Sequence, residues 1–246
     1  MLRYLLYLDI LGFSDLVKSN YQKVVRLFNV IDSLNAHAHG DFKSVVFSDT
    51  LLIFNQKPAE SKYDNEYIIM YLCEFAQDLL FRSIELDIQF RAIITHGEFN
   101  YEKLKNIEAY HGKALISAYQ KEKNLATLGL YIDKNINHYN TIFATEPFDE
   151  NLEFVFLLQQ MESLKRLGLD EFPLPWELAD PHLLYDFKDE VSILKSLKEN
   201  ITSQKDSRVR AKYLQAYHFY HMRYKRMIDY LEKNSFDYRS ASPDWK

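Results

Sequence analysis

Tyr4-Leu5-Leu6-Tyr7-Leu8-Asp9-Ile10-Leu11-Gly12-Phe13-Ser14 is an almost unbroken apolar run that carries one carboxylate near its end and then meets a glycine. Such a run predicts a strand buried on both faces. Beyond Gly12, the positions Leu16, Val17, Val24, Leu27, Phe28, Ile31 and Leu34 fall at helical spacing over residues 15–34, with a break near Asn20. Residues 44–54 are two β-rich runs around Ser48-Asp49-Thr50, which predicts a hairpin with Asp49 at its tip. Further on, the pattern predicts a helix over 66–84, a strand over 87–95 closed by His96-Gly97, a helix over 112–126 and a strand over 128–133. The order βααβ-βαβ-αβ means an α+β fold, a mixed sheet with flanking helices.

From Pro147 the character changes. The chain is irregular around one apolar run at 152–158, and two helices are then expected at 185–200 and 209–233. We therefore expect two parts, 1–146 and a mainly helical extension, 147–246, packed on the first. Residues 205–246 hold ten Lys and Arg against five acids, a local charge of about +5 in a chain of net −5. No overall positive field draws the protein to nucleic acid or anionic lipid. Cys73 is the single cysteine, which excludes an intrachain disulfide and a cysteine-based zinc cluster and suits a reducing compartment. The apolar stretch 2–13 is interrupted by Arg3 and Asp9 and falls short of the roughly 20 residues that a membrane span needs. A cytoplasmic protein without a membrane partner is expected.

Asp9 and Asp49 fall on neighbouring strand ends in this scheme. Paired carboxylates repel unless a cation lies between them, and hard divalent cations are held this way for phosphoryl transfer. On spacing alone, a turn aspartate and a helix cap remain an equal alternative. The Gly12 turn also exposes backbone N–H groups at a helix start, a place for phosphate. His37, His39 and Asp41 lack the further ligands that a metal cluster needs. No Ser-His-Asp, nucleophile-elbow or Walker A pattern is present.

Four blocks, Tyr7-Leu8-Asp9-Ile10-Leu11-Gly12-Phe13, Phe47-Ser48-Asp49, Arg91-Ala92-Ile93-Ile94-Thr95-His96-Gly97-Glu98 and Gly112-Lys113-Ala114-Leu115-Ile116-Ser117-Ala118-Tyr119, resemble in order and spacing the signatures of class III nucleotidyl cyclases. The wording Asp-Ile-Leu-Gly-Phe and Gly-x-Ala-Leu-Ile-x-Ala-Tyr is most similar to the bacterial pyrimidine cyclases of the Pycsar anti-phage systems, which make cyclic UMP or cyclic CMP. The resemblance implies Asp9 and Asp49 as ligands of Mn²⁺ or Mg²⁺, with the Ile10 carbonyl as a further ligand. It implies a triphosphate contact for Arg91 and for the backbone N–H groups of Ile10, Leu11, Gly12 and Phe13. It also implies attack of the ribose 3′-hydroxyl on the α-phosphorus, and a homodimer with shared sites.

Two departures from the family pattern stand out. Val45 and Ala109 occupy the positions at which adenylyl cyclases carry an adenine-reading lysine and aspartate, so the ordinary adenine reader is absent and UTP, slightly before CTP, is expected. Lys43, on the strand face of Val45, and Tyr110, beside Ala109, are then the candidate base contacts together with Val45. Ile116 and Gln120 occupy the positions of the family's ribose-orienting asparagine and transition-state arginine. Ser117 and Lys121, one position on, keep the i, i+4 spacing and are expected to substitute. Two rivals follow: a catalytically silent cyclase-fold module that senses a nucleotide, and a nucleic-acid binder acting through the basic residues and interleaved aromatics of 208–226.

Overall fold

In the computed structural model, which describes residues 1–34, 37, 39–175 and 181–242 without the side chains of 181–185, the first run forms β1, Leu2–Ile10. Gly12 adopts a left-handed φ of 72° and turns the chain into α1, Phe13–Ser19. Asn20 breaks the helical stretch as expected, and its side chain accepts from the Lys23 N–H to open α2, Tyr21–Asp32. The hairpin follows as β2, Phe42–Phe47, and β3, Thr50–Asn55, turning at Ser48-Asp49. Next comes α3, Lys62–Arg82, which starts before the expected residue 66 because Ser61 and Asp64 form a capping box. The next strand, β4, runs Phe90–Glu98 and not 87–95, since Asp87 takes a left-handed φ of 45° after a 3-10 turn. Two short strands that periodicity did not reveal, β5 (Asn100–Lys103) and β6 (Glu108–His111), form a separate two-stranded ribbon. They lead into α4, Lys113–Asn124, and β7, Gly129–Asp133. A Cβ on Gly112, at the start of α4, would lie 2.3 Å from the Glu98 carbonyl oxygen, so only glycine fits there.

Chain compactness divides the protein into two units, Met1–Leu157 and Leu158–Lys246. The first passes the expected boundary at 146 because β8, Thr145–Pro147, and β9, Leu152–Val155, complete its sheet. The seven strands lie in the order β2-β3-β1-β4-β7-β9-β8. Strand β1 is interior and antiparallel to both β3 and β4, while β4 and β7 are parallel, so the sheet is mixed. On one face Leu5 and Tyr7 pack with Ala114 and Ala118 of α4; on the other, the Tyr4 hydroxyl donates to Asn65 of α3. The fold class is the α+β sheet with flanking helices that the sequence implied.

The second unit is helical: α5 (Gln159–Arg166), α6 (Pro181–Ser203), α7 (Ser207–Arg223) and α8 (Lys225–Lys233). The expected single helix over 209–233 is broken at Tyr224, whose buried hydroxyl donates to Glu162. Glu162 also takes two hydrogen bonds from Arg223, at 2.7 and 2.8 Å. Tyr213, Tyr217, Phe219, Tyr220 and Tyr224 are all buried, so the interleaved aromatics of the nucleic-acid reading present no surface for base stacking. Among the described residues, no helix is long and apolar enough to cross a membrane.

Glu190 is buried and accepts from the backbone N–H groups of Gln160 and Met161 at the start of α5, at 2.7 and 2.8 Å. Burial pushes its carboxyl up to about 8, against the pull of those N–H groups. A raised acid pKa means that the folded state binds the proton more tightly than the unfolded chain. Stability should therefore fall as pH rises from the ordinary glutamate range to about 8, with a slope of up to about 1.4 kcal/mol per pH unit, and level off above. Urea unfolding between pH 5 and 9 should show that slope in the wild type and a flatter profile in Glu190→Gln; equal slopes in the two proteins would remove Glu190 as its source.

Candidate active site

Register fixes the place of the two aspartates. Asp9 pairs across the sheet with Thr50 on one side and Arg91 on the other. The Ile10 N–H donates to the Asp49 carbonyl at 2.9 Å, so the hairpin tip is held beside the end of β1. Both side chains are half-buried at the same end of the sheet. Two carboxylates and nearby carbonyls suit a hard divalent cation that completes its shell with phosphate oxygens and water. Among the described residues there is no group of three or more His, Cys, Asp or Glu placed to hold a metal. Of the histidine stretch, Ala38 lies outside the described residues, the His37 ring meets the Ile31 carbonyl, and His39 packs on Tyr71.

The Gly12 turn is more committed than expected. The Ile10 N–H serves Asp49, and the Leu11 N–H donates to the Gln89 carbonyl at 2.9 Å. Neither is left for a phosphate, which corrects the expectation for those two residues. Gly12 and Phe13 remain the donors that the turn can offer.

Arg91 also differs from expectation. Its Nη2 donates to Asp9 Oδ2 at 2.8 Å and meets the Glu122 carboxylate, while Nη1 donates to the Glu122 and Leu125 carbonyls at 3.4 and 3.2 Å. Both terminal nitrogens are thus engaged within the fold, and the side chain is only 14% exposed. A triphosphate contact would require it to leave these partners. Glu122, buried on the face that carries Ala114 and Ala118, was missed. A carboxylate four residues after Ala118 and eight after Ala114, both small and buried, was the available signal, since burial demands a cationic partner.

Lys121 is likewise occupied. Its Nζ lies 2.5 Å from Asp133 Oδ1, and Thr95 Oγ1 donates to Asp133 Oδ2 at 2.7 Å. Ser117 is half-buried on α4, while Ile116 and Gln120 are exposed.

Beside the apolar cluster of Leu5, Tyr7, Leu52, Phe54, Phe99, Ala114 and Ala118, the structure gathers Val45, Tyr101, Tyr110 and Leu115. Lys43 Nζ sits 3.7 Å from the Tyr101 ring centroid and 3.0 Å from Glu108 Oε2. Glu108 also accepts from the hydroxyls of Tyr110 and Tyr101, at 2.5 and 2.9 Å. Those bonds, the one from Tyr110 foremost, and that from Lys43 hold its carboxyl down at about 2. The candidate base contacts Lys43, Val45 and Tyr110 are therefore neighbours. Tyr101 and Glu108 join them from the ribbon of β5 and β6, which carries no period in the sequence that could have announced them.

No family model matches the chain, and no curated protein matches it in sequence. Solved structures do. The catalytic core of a rhodopsin-guanylyl cyclase with converted specificity, in complex with ATPαS, aligns with TM-score 0.50 at 14% identity, over 63% of this chain and 95% of that one. The fold is that of the nucleotidyl cyclases. The guanylyl cyclase domain of the RhoGC fusion protein of the aquatic fungus Blastocladiella emersonii aligns at 18% identity and TM-score 0.49, over 63% of this chain and 94% of that one. The adenylyl cyclase CyaB from P. aeruginosa aligns at 10% and 0.46, over 63% and 93%.

Proposed function

We propose that the chain is a metal-dependent nucleotidyl cyclase that converts UTP, or CTP, to the 3′,5′-cyclic monophosphate and pyrophosphate. The observation that carries this reading is the pair Asp9 and Asp49, set side by side at one sheet end of a cyclase fold. Asp9, Asp49 and the Ile10 carbonyl would hold Mn²⁺ or Mg²⁺. Bound there, the cations would lower the pKa of the ribose 3′-hydroxyl and neutralise the triphosphate. Gly12 and Phe13 N–H groups face the phosphates, and Ser117 with Lys121 serves the ribose and transition state, Lys121 exchanging Asp133 for substrate. The 3′-hydroxyl gives its proton to solvent, its oxygen bonds to the α-phosphorus, and the bond from that phosphorus to the departing pyrophosphate breaks.

The lack of a lysine at Val45 and an aspartate at Ala109 supports a base other than adenine. Lys43 as donor beside Glu108 as acceptor suits the O4 and N3–H edge of uracil, and equally the N3 and N4-amino edge of cytosine. The same pair also matches the amino edge of adenine. Exposed Phe47, Ile116 and Tyr119, at 80%, 58% and 50%, support a homodimer in which α4 completes the partner's site. The likeness to Pycsar cyclases supports a second-messenger role in bacterial antiviral defence, in the cytoplasm.

A second reading, a catalytically silent nucleotide-sensing module, is favoured by the neutral Ile116 and Gln120 and by the engagement of Arg91 and Lys121 within the fold. Purified protein with Mn²⁺ and each of the four ribonucleoside triphosphates separates the readings. Cyclic UMP or cyclic CMP, identified by mass, is expected, with Mn²⁺ or Mg²⁺ outperforming Ca²⁺, whose longer bonds and looser geometry position the triphosphate less well. Binding without product would favour the silent module, and cyclic AMP or cyclic GMP alone would overturn the pyrimidine assignment.

A further inference from the structure

One guanidinium joins the end of β1 to the end of α4. Arg91 shares its fork among Asp9, the Glu122 carboxylate and two carbonyls of the α4 C-terminus. The fork is planar and rigid, so it cannot draw away from one partner without changing its geometry to the others. A divalent cation on Asp9 would compete for the same carboxylate and repel the guanidinium at close range. Arg91's remaining partners all belong to the helix end: Glu122, which is buried and needs a cation beside it, and carbonyls at the negative pole of the helix dipole.

We propose that Arg91 is a positioning residue that transmits cation binding at Asp9 to the last turn of α4, with Glu122 as the group that receives it. The inference rests on the reading of Asp9 and Asp49 as cation ligands. Displaced from Asp9, the guanidinium moves onto Glu122 and the end carbonyls and tightens the turn. Where α4 completes the site of a second subunit, a cation bound in one site firms the helix that serves the other.

Hydrogen exchange of the full chain, with and without Mn²⁺ and without nucleotide, tests this. Mn²⁺ should slow exchange at 9–13 and 47–50, and slow it about fivefold at 119–126. In Arg91→Lys the first two segments should still respond while 119–126 does not, because an ammonium cannot span Asp9 and both carbonyls. In Glu122→Gln, a second variant that keeps the arginine, the response of 119–126 should also be lost. Protection near Asp9 with an unchanged helix end in the wild type, or an unaltered helix response in both variants, would overturn the coupling alone. Absence of Mn²⁺ protection anywhere would overturn the cation-site reading and the coupling with it.

Discussion

Asp49→Asn should lower cyclisation at least about a hundredfold while leaving the melting temperature within about 1 °C of wild type. Asp49 lies on a hairpin tip and has no ion pair among the described residues, so its loss removes a cation ligand and little else. Asp9→Asn should be as inactive but also less stable. Its carboxylate is a partner of half-buried Arg91, and a hydrogen bond to a charged group contributes about 1.5–3 kcal/mol. Measuring product formation and thermal unfolding on both variants separates the two roles. Turnover of Asp49→Asn equal to wild type would sink the cation reading, and equal stability of the two variants would show that the Arg91 pair contributes nothing to the fold.

That asymmetry was partly legible in the sequence. The run around Tyr7 carries one acid, and a lone carboxylate in an apolar strand announces that something must compensate it. Alternation around Ser48-Asp49-Thr50 placed the second acid on a turn. What compensates Asp9 was not legible, because Arg91 lies 82 residues away and the pairing depends on the register between β1 and β4. Glu122 was within reach through its spacing from Ala114 and Ala118. Ribbon β5–β6 was not, since Asn-Tyr-Glu-Lys and Glu-Ala-Tyr-His have no buried face to generate a period. Tyr101 and Glu108, which surround Lys43, stand on that ribbon, so the candidate base site was only half visible. Short β8 and β9 escaped for want of length, and with them the true end of the first unit at Leu157.

Mixing two inactive proteins should restore activity if sites are shared between subunits. One partner is Asp49→Asn; the other is Ile116→Glu, which sets a carboxylate on the exposed face of α4 where it would oppose the triphosphate bound by the second subunit. Being 58% exposed, Ile116 tolerates the change without a cavity or a buried charge, whereas Lys121→Ala would leave buried Asp133 with only its hydrogen bond from Thr95 and so mix a loss of stability into the activity readout. Each homodimer carries one lesion in both of its sites. A heterodimer concentrates both lesions in one site and leaves the other intact, so random and equal exchange should return up to about a quarter of wild-type activity. Exchange is followed independently by mass spectrometry of differently tagged chains. Demonstrated heterodimers without recovered activity would place each site within a single chain, and α4 would then have to reach its own Asp9 through the Arg91 and Glu122 contacts already made.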